Sequence, residues 1–266
     1  MSRKVCYFSV DFEEWFNIPF MKPYINEKNN EISYCSKVVP FFKQLKEENI
    51  PCTVFVVGCI AETYKKELLE IKELGNAFGV HSYKHFTYKY MSTREFLDDV
   101  TISKNKLEAA IGERVYGFRA PMFSASSEKL KELPKVGIRF DSSSINSSNN
   151  PFYVKINPNV WKSDTSGLKE YIIPTLCGKS LGGGGFFRST PLWLYKIYLS
   201  IYLSRHSSFT FYIHTYEIVS DPFPGFPNKH AYGRFRFEAG RKTVMKKFWK
   251  LIKWLKKKGI EFDTMK

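Results

Sequence analysis

The sequence predicts an α/β fold, a barrel of the TIM type that forms one domain with long loops over its rim. Candidate strands and helices alternate along most of the chain, and about seven strands fit into its 266 residues. Several strands end in a residue that can do chemistry, and in a barrel such strand ends meet at one rim. These residues are Asp11, His81, Arg119, Asp141 and His214. A doubly wound open sheet is the alternative, because it shows the same alternation.

The first half of the chain alternates most clearly. Short apolar runs rich in β-branched residues predict strands, and apolar residues at helical spacing predict helices. Ser92 and Glu95 fit a capping box at the start of the longest helix, and Gly112 fits its end. In chain order we expect a strand at 5–10, a helix at 38–48, a strand at 52–58, a helix at 60–74, a strand at 78–81 and a helix at 93–111.

The second half is less regular. We expect strands at 115–121, 138–141, 170–175 and 208–214, a helix at 192–203, a basic helix at 241–258 and a last strand at 260–264. Residues 142–185 fit the alternation least and predict long rim loops, interrupted by a strand-like segment at 151–156. The glycines at 182–185 lack the lysine of a P-loop and the spacing of a dinucleotide fingerprint, so they predict a flexible loop that covers the substrate.

Composition and cysteine pattern limit the class of protein. With 43% hydrophobic residues the chain can bury one large core, so residues 1–266 are expected to form a single domain. The five cysteines are scattered and lack paired spacing, which argues against a disulfide framework or a zinc ribbon and indicates mostly buried thiols. The N-terminal apolar run is too short for a signal peptide and no stretch approaches about 18 apolar residues, so we expect a cytoplasmic protein.

The formal charge of +15 favours anionic partners such as phosphates, anionic glycans or an anionic membrane face. The alternative is a lysine-rich solvated surface without such a partner. No zinc finger, helix-turn-helix or RNA-binding signature is present, so nucleic acid is not expected as a partner. The basic helix at 241–258 carries an apolar stripe with tryptophan beside many lysines, as does an interfacial membrane helix. The alternative is a helix that packs inward with its lysines in water, and the helix at 192–203 poses the same choice.

A candidate metal site comes from His81-Ser-Tyr-Lys-His85, which places two imidazoles four residues apart after an apolar run. Imidazole is a common ligand of zinc-like metals, and a catalytic zinc site usually has three protein ligands. The missing carboxylate would come from Asp11-Phe-Glu13-Glu14, at the end of the first strand. Taken alone, a histidine pair at this spacing also serves capping and surface hydrogen bonds.

Four motifs in order extend this site. They are Asp11-Phe-Glu13-Glu14, His81-Ser-x-x-His85 with Arg119-Ala-Pro121, Gly182-Gly-Gly-Gly-Phe-Phe-Arg188, and Phe211-Tyr-Ile-His214-Thr-Tyr-Glu217. With them the chain resembles the polysaccharide deacetylases of carbohydrate esterase family four, the NodB-like family, and within it a cytoplasmic-type branch. The resemblance covers about residues 5 to 217.

The resemblance implies a distorted (β/α)7 barrel that removes N-acetyl groups from amino sugars with one divalent metal, usually zinc. His81, His85 and a carboxylate would bind the metal, and strand alternation favours Glu13 over Glu14 because Asp11 and Glu13 then share a face. Asp11 would be the general base, oriented by Arg119, and His214 the general acid.

The resemblance also implies a role for Asp141, which would orient the arginine or the histidine; the alternative is an Asx turn at the strand end. We expect the Met122 N–H to help stabilise the oxyanion. Together the motif residues expected to bind substrate are Trp15, Pro121, Met122, Phe123, Gly184, Gly185 and Glu217.

Two departures from the family pattern bear on activity. Glu13 stands where most relatives have aspartate, and Thr215-Tyr216 replaces the Pro-Trp of the branch. We expect an N-acetylated glycan or a lipid- or nucleotide-linked precursor as substrate, in cell-surface polysaccharide synthesis at the inner face of the membrane. The alternative is a catalytically degenerate carbohydrate-binding protein on the same fold.

Overall fold

A curled sheet of parallel strands organises the chain. The computed structural model describes residues 3–25, 32–145, 167–219, 221, 223 and 237–266. Its sheet runs β9-β1-β2-β3-β4-β5-β6, and β10 pairs with the first half of β1 on the edge that β2 occupies further along. The strands are β1 (Lys4–Phe12), β2 (Thr53–Val56), β3 (Ala77–Val80), β4 (Gly117–Phe118), β5 (Phe140–Asp141), β6 (Lys169–Glu170), β9 (Ser208–His214) and β10 (Ile260–Asp263).

Helices cover the outside of this sheet, and a small antiparallel hairpin, β7 (Thr175–Leu176) with β8 (Lys179–Ser180), lies between β6 and β9 along the chain. The described helices are α1 (Val39–Glu47), α2 (Lys65–Glu73), α3 (Thr93–Ile111), α4 (Ser127–Leu130), α5 (Gly184–Ser189), α6 (Leu192–Arg205), α7 (Thr215–Ile218) and α8 (Arg241–Lys257). The arrangement is the distorted (β/α)7 barrel that the sequence predicts.

Strand alternation sorts side chains between the helices and the barrel interior. On β1, Phe8, Val10 and Phe12 point outward into the main core, where Phe8 lies 5.2 Å from Phe248 of α8 between ring centroids. The opposite face of β1 carries Ser9 and Asp11. The interior below the rim is filled by a separate cluster of Phe55, Phe140, Tyr171 and Met265.

Several predicted elements have the expected bounds. Helix α3 spans 93–111 and β9 spans 208–214, as the periodicity predicts. Ser92 caps α3 as expected, since its hydroxyl accepts from Glu95 N and its own N–H donates to Glu95 Oε2. The helix predicted from residue 60 begins only at Lys65, because the N–H groups of Gly58 and Cys59 bond to carbonyls of the loop after β3.

Three expectations need correction or lie outside the described residues. The strand predicted at 170–175 ends at Glu170; Pro174 lacks an N–H for the ladder, and Thr175 belongs to the hairpin. The glycines at 182–185 are not a free loop, because Gly184 begins α5. Gly183 has φ of 131°, and a Cβ there would lie 2.0 Å from the Tyr212 carbonyl oxygen. The strand-like segment at 151–156 lies outside the described residues.

Helix α8 packs inward, as the second of its two interpretations predicts. Val244, Phe248, Leu251 and Leu255 are buried.

Cys6, Cys35 and Cys52 are buried, Cys59 is half-buried and Cys177 is exposed, and none of the five forms a disulfide. Among the described helices, none combines the length and the apolarity needed to cross a bilayer.

Candidate active site

A cavity of about 410 Å³ opens where β1, β3, β4 and β9 end. The parallel register brings the strand ends level, since Asp11 pairs with His214 and Val80, the residue before His81, pairs with Phe118, the residue before Arg119. The cavity is lined by Asp11, Glu13, His81, His85, Arg119 and His214, among others. The rim convergence predicted from the sequence is therefore present for these six side chains.

Glu13, His81 and His85 could hold a metal ion. Their ligand atoms lie within 4.8 Å of one another, and all three residues are buried. Glu13 Oε2 is 2.7 Å from His85 Nε2, and His85 Nδ1 is buried with no hydrogen-bond partner among the described residues. His81 Nδ1 lies 2.9 Å from the Arg119 carbonyl oxygen, which leaves Nε2 for a ligand bond. Two imidazoles and one carboxylate fit a zinc-like ion with an open position.

Glu14 is engaged elsewhere. One of its carboxylate oxygens accepts hydrogen bonds from Cys35 N at 2.8 Å and from the Ser33 hydroxyl at 2.7 Å, and Tyr34 N donates to both oxygens at 3.0 Å. This carboxylate therefore fixes the segment before α1. Its position favours Glu13 as the carboxylate of the candidate metal site.

Asp11 is held by a buried arginine. Arg119 Nη1 donates to Asp11 Oδ1 at 2.7 Å, and Asp11 Oδ2 lies 4.0 Å from His214 Nε2. Burial raises the pKa of Asp11, but the positive charge of Arg119, with smaller effects from His81 and His214, outweighs it and leaves the pKa below its usual value. Asp11 is therefore ionised near neutral pH, as a general base must be.

Arg119 itself is fully buried and almost completely bonded. Its Nη1 also donates to Ser9 Oγ at 2.9 Å, Nε donates to Ser142 O at 3.1 Å, and Nη2 donates to Ser142 Oγ at 2.8 Å. The guanidinium carbon lies 4.2 Å from the centre of the Phe55 ring. These contacts fix the position of the guanidinium, which in turn orients the Asp11 carboxylate.

His214 ends β9 and is oriented by a carboxylate behind it. Its Nδ1 lies 2.6 Å from Glu217 Oε2, and its N–H donates to the same oxygen at 2.9 Å. Burial lowers the pKa of His214, but Glu217 and more distant acids raise it more, so the pKa lies above its usual value. Nε2 faces the cavity and Asp11, so a protonated His214 can donate there.

Arg188 completes this group. Its Nη1 lies 2.5 Å from Glu217 Oε1, with both side chains buried. Burial raises the pKa of Glu217, but Arg188 and His214 together hold it at about 2. The imidazole of His214 also stacks on Tyr216, with 4.6 Å between ring centroids, and the Thr215 hydroxyl donates to the Glu13 carbonyl oxygen.

Comparison with known proteins agrees with this geometry. Residues 33–140 match the model of the polysaccharide deacetylase family, and residues 143–266 match a domain of unknown function, DUF3473. The chain therefore contains a polysaccharide deacetylase domain. A peptidoglycan deacetylase from Helicobacter pylori (strain ATCC 700392 / 26695) is 26% identical over 137 residues, which are 51% of this chain and 47% of that protein. The chain thus spans about half the length of this relative.

Solved structures of this family show the same fold. A Mycobacterium smegmatis protein described as a polysaccharide deacetylase is 15% identical, with a TM-score of 0.61 over all of this chain and 95% of the other. A CE4 family pseudoenzyme from Bacillus anthracis is 14% identical, with a TM-score of 0.58 over 99% of this chain and 64% of the other. At these identities the similarity establishes the barrel and nothing about activity.

Within the deacetylase fold, Asp141 lies behind the site. Ser143 N donates to Asp141 Oδ2 at 3.0 Å, and Ser143 Oγ donates to Oδ1 at 2.6 Å, which is the Asx turn considered as the alternative. Asp141 does not line the cavity. Arg119 is oriented by Ser142, and Ala120 N donates to Ser143 Oγ at 2.7 Å. The acid therefore acts on the turn rather than on the arginine directly.

The residues expected to bind substrate divide into two groups. Four of them line the cavity: Met122, Phe123, Gly184 and Gly185. Met122 has φ of 51°, and its N–H has no hydrogen-bond partner among the described residues, so it is available to an oxyanion.

The other three, Trp15, Pro121 and Glu217, are buried and are not among the residues that line the cavity. Trp15 is a core side chain whose Nε1 donates to Ile32 O at 2.8 Å, because the 3₁₀ turn Trp15–Asn17 ends the alternation of β1. Glu217 faces His214 and Arg188. Substrate contact by Trp15, Pro121 or Glu217 therefore has no support in this geometry.

Sequence reasoning gave no role to three residues that shape the site. Ser142 bonds Arg119 twice, Arg188 neutralises Glu217, and Thr215 ties the end of β9 to Glu13. Arg188 stands in the glycine-rich motif, so its presence there was the available signal. Thr215 departs from the proline of the family branch, and its hydroxyl takes a structural role by donating to the Glu13 carbonyl oxygen.

Proposed function

We propose that this chain hydrolyses the N-acetyl group of an amino sugar within a glycan or glycan precursor, with zinc as the metal. The proposal rests on one observation: a candidate metal site and an acid–base pair line the same cavity. A buried His-His-Glu set lies beside an ionised aspartate and a histidine of raised pKa. Amide hydrolysis needs both an activated water and a proton for the leaving amine.

Glu13, His81 and His85 would hold the metal. A divalent ion there supplies Lewis-acid chemistry, which acidifies water and polarises the acyl carbonyl. The proposed roles of the chain's own residues do not depend on the exact position of the ion. Burial lowers the pKa of His81 and the charge of Asp11 raises it; burial is the larger effect, and the pKa is about 4. The imidazole is therefore neutral and able to bind metal at neutral pH.

Asp11 would accept a proton from the attacking water. Arg119 keeps the carboxylate ionised and aims it at the cavity through the contact at 2.7 Å. The Met122 N–H would donate to the oxygen of the acyl carbonyl as negative charge develops there. Arg119 makes four hydrogen bonds, one of them to Asp11, so it serves as a positioning residue.

His214 would give a proton to the leaving amine nitrogen. Glu217 accepts the proton on Nδ1, so when the imidazole is protonated its second proton, on Nε2, faces the cavity. His214 Nε2 and Asp11 Oδ2 lie 4.0 Å apart, beyond hydrogen-bond distance, so the two groups do not share a proton. This separation supports distinct acid and base roles.

For the substrate we propose a lipid- or nucleotide-linked acetamido sugar used in cell-surface polysaccharide synthesis at the inner face of the membrane. The net charge of +15 and the cavity of about 410 Å³, of a size for a sugar unit, support an anionic glycan precursor. We also propose that residues 1–266 act as one catalytic domain. Its support is the sheet, to which the segments matched by both family models contribute strands.

The test is acetate release from a panel of lipid-linked, nucleotide-linked and free N-acetylated sugars by protein carrying about one zinc per chain. We expect release that stops with chelator and with His81→Ala. Asp11→Asn should retain zinc and lose turnover. A zinc-loaded wild-type protein that is inert on the whole panel would overturn the proposal.

A second candidate is a carbohydrate-binding protein without turnover. The observations that favour it are Glu13 in place of the usual aspartate and the existence of a CE4 pseudoenzyme with this fold. Such a protein would bind N-acetylated glycan with equal affinity in the wild type and in Asp11→Asn, and would release no acetate.

A further inference from the structure

Helix α6 has apolar side chains on two opposite faces. Its inner face is buried against the core through Tyr195, Leu199 and Leu203. On the outer face Trp193, Ile197 and Ile201 are 66%, 48% and 42% exposed. At intervals of four residues these three side chains form one stripe along the helix, about 12 Å long. Contiguous exposed apolar surface is typical of sites that contact a partner or a membrane.

The neighbouring helix α8 exposes a row of lysines. Lys242, Lys246, Lys250 and Lys253 are exposed at spacings of three and four residues, on the side away from the buried apolar face. Neither α6 nor α8 contains an aspartate or a glutamate. In the part of the chain that the structure describes, none of these four lysines has an ion-pair partner.

The two helices lie side by side. Lys196 Nζ of α6 is 5.6 Å from the centre of the Trp254 ring of α8, and Lys247 of α8 donates to the carbonyl oxygens of Phe187 and Thr190, just before α6. Their outer sides therefore form one surface. We call it the α6–α8 face, made of Trp193, Ile197, Ile201, Lys242, Lys246, Lys250 and Lys253.

The apolar end of this face begins beside the active-site cavity. Phe186 and Ser189 of α5 line the cavity, and Trp193 follows Ser189 by four residues. The Phe186 ring also packs on Tyr198 of α6, with 6.0 Å between ring centroids. Because α6 leads into β9, it starts at the rim where the strands end. A surface that covers α6 would thus lie next to the cavity.

We propose that the α6–α8 face docks on an anionic lipid bilayer. Trp193 and the two isoleucines would enter the interface between headgroups and acyl chains, while the lysines would lie among lipid phosphates. A second copy of the chain is a poorer occupant, because a two-fold contact through this face would bring two lysine rows together. The proposal extends the proposed membrane location by naming the surface and the lipid charge, and it does not depend on the reaction.

The experiment is sedimentation of the full chain with vesicles of phosphatidylcholine alone or with roughly 30% phosphatidylglycerol, which makes the vesicle surface anionic. We expect binding to the anionic vesicles, little to the neutral ones, and a loss of binding as salt rises. Trp193→Ser with Ile197→Ser should reduce binding even at low salt, since the apolar contribution is then missing.

A matched pair of variants separates this face from general positive charge. Lys246→Gln, Lys250→Gln and Lys253→Gln together should weaken partitioning on the order of 100-fold, at about fivefold per lysine. The control carries the same charge change on α2 and α3, at the exposed Lys65, Lys66 and Lys106. We expect the control to bind within about threefold of the wild type, since it leaves the face intact.

Equal losses in the two triple variants would overturn the proposal, as would absence of binding to anionic vesicles. A dimer that Trp193→Ser dissociates would also overturn it, because the face would then be an interface between copies. The proposed reaction is assayed separately on a water-soluble N-acetylated sugar, where the variants of the face should match the wild type. Failure of docking and failure of catalysis are therefore distinguishable.

Discussion

At the level of single residues, the site depends on how four buried carboxylates are divided among different partners. Asp11 pairs with Arg119, Glu13 with the two histidines, Glu14 with backbone N–H groups, and Glu217 with His214 and Arg188. Each environment fixes a different use, although three of the acids stand close together in the sequence. A buried carboxylate requires such a partner, because desolvation otherwise favours its neutral form.

Glu217→Gln tests the pairing behind His214. The amide cannot stabilise a protonated imidazole as a carboxylate does, so kcat should fall on the order of 100-fold. The buried Arg188 guanidinium would also lose its ion pair with the Glu217 carboxylate, so the free energy of unfolding should fall by about 3–5 kcal/mol. Steady-state kinetics and urea unfolding measure the two effects.

The double variant Arg188→Met with Glu217→Gln separates these effects. This variant carries neither charge of the buried ion pair, so much of the lost free energy of unfolding should return, since apolar replacement of a buried ion pair is often neutral. Activity should stay low, because His214 still lacks its carboxylate. Recovery of both stability and kcat would contradict the role given to Glu217.

At the level of elements, the ends of β5 and β6 hold a pair of interacting acids, the buried Asp141 and the half-buried Glu170. Burial, the largest cause, raises the pKa of both Asp141 and Glu170, and Asp141 raises that of Glu170 further. Ser144 N donates to Glu170 Oε1 at 3.0 Å, so the pair supports the turn that carries Ser142 and Ser143. The acids therefore hold in place the residues that bond Arg119 and Ala120.

This pair predicts a pH dependence of stability. The unfolded chain releases these protons above about pH 4, whereas the folded chain retains them to higher pH, so the free energy of unfolding falls as pH rises. Glu170→Gln removes one of the acids, and the fall between pH 5 and pH 8 should be smaller. Urea unfolding at both pH values measures it, with the exposed Glu62→Gln as control. An unchanged slope in Glu170→Gln would refute the assignment.

The start of α5 depends on one glycine. Gly183→Ala would put a Cβ 2.0 Å from the Tyr212 carbonyl oxygen at a φ of 131°, and should cost on the order of 3 kcal/mol in unfolding free energy. Gly112→Ala is the matched control, since its φ of 69° is also left-handed but nothing lies within 4 Å. That change should cost about 1 kcal/mol. Similar costs for the two variants would show that the contact with β9 is unimportant.

At the level of the whole molecule, one sheet joins the two segments that the family models match. β6 of the later segment pairs with β5, and β9 and β10 of the later segment pair with β1, which in turn pairs with β2 of the earlier segment. We therefore expect a single cooperative unfolding transition, with far-UV circular dichroism and tryptophan fluorescence giving the same midpoint. Trp15 reports on the first part and Trp249 and Trp254 on the last, so two separate midpoints would argue for two units.

Much of this fold is predictable because periodicity is local. The bounds of α3 and β9 follow from apolar spacing and caps, and the choice of Glu13 follows from strand alternation. Three features depend on distant partners and escape local patterns. Trp15 turns into the core after β1 ends, Gly184 begins a helix because Tyr212 fixes Gly183, and Asp141 bonds its own turn.

The effect of the net charge likewise depends on where the charged residues lie in the fold. The sequence leaves open which of two amphipathic helices faces water with its apolar side. In the structure α8 buries its apolar face and α6 exposes Trp193. Which helix face is buried depends on the contacts that each helix makes with distant parts of the chain. The spacing of residues within the helix does not reveal those contacts.

The most direct test of the central claim is the rate of acetate release from an N-acetylated amino sugar by wild type and by Asp11→Asn, each loaded to the same zinc content. We expect release by the wild type and a rate at least on the order of 100-fold lower for the variant, because the metal ligands remain and the base is lost. Equal rates for the two proteins, or no release by fully loaded wild type, would contradict it.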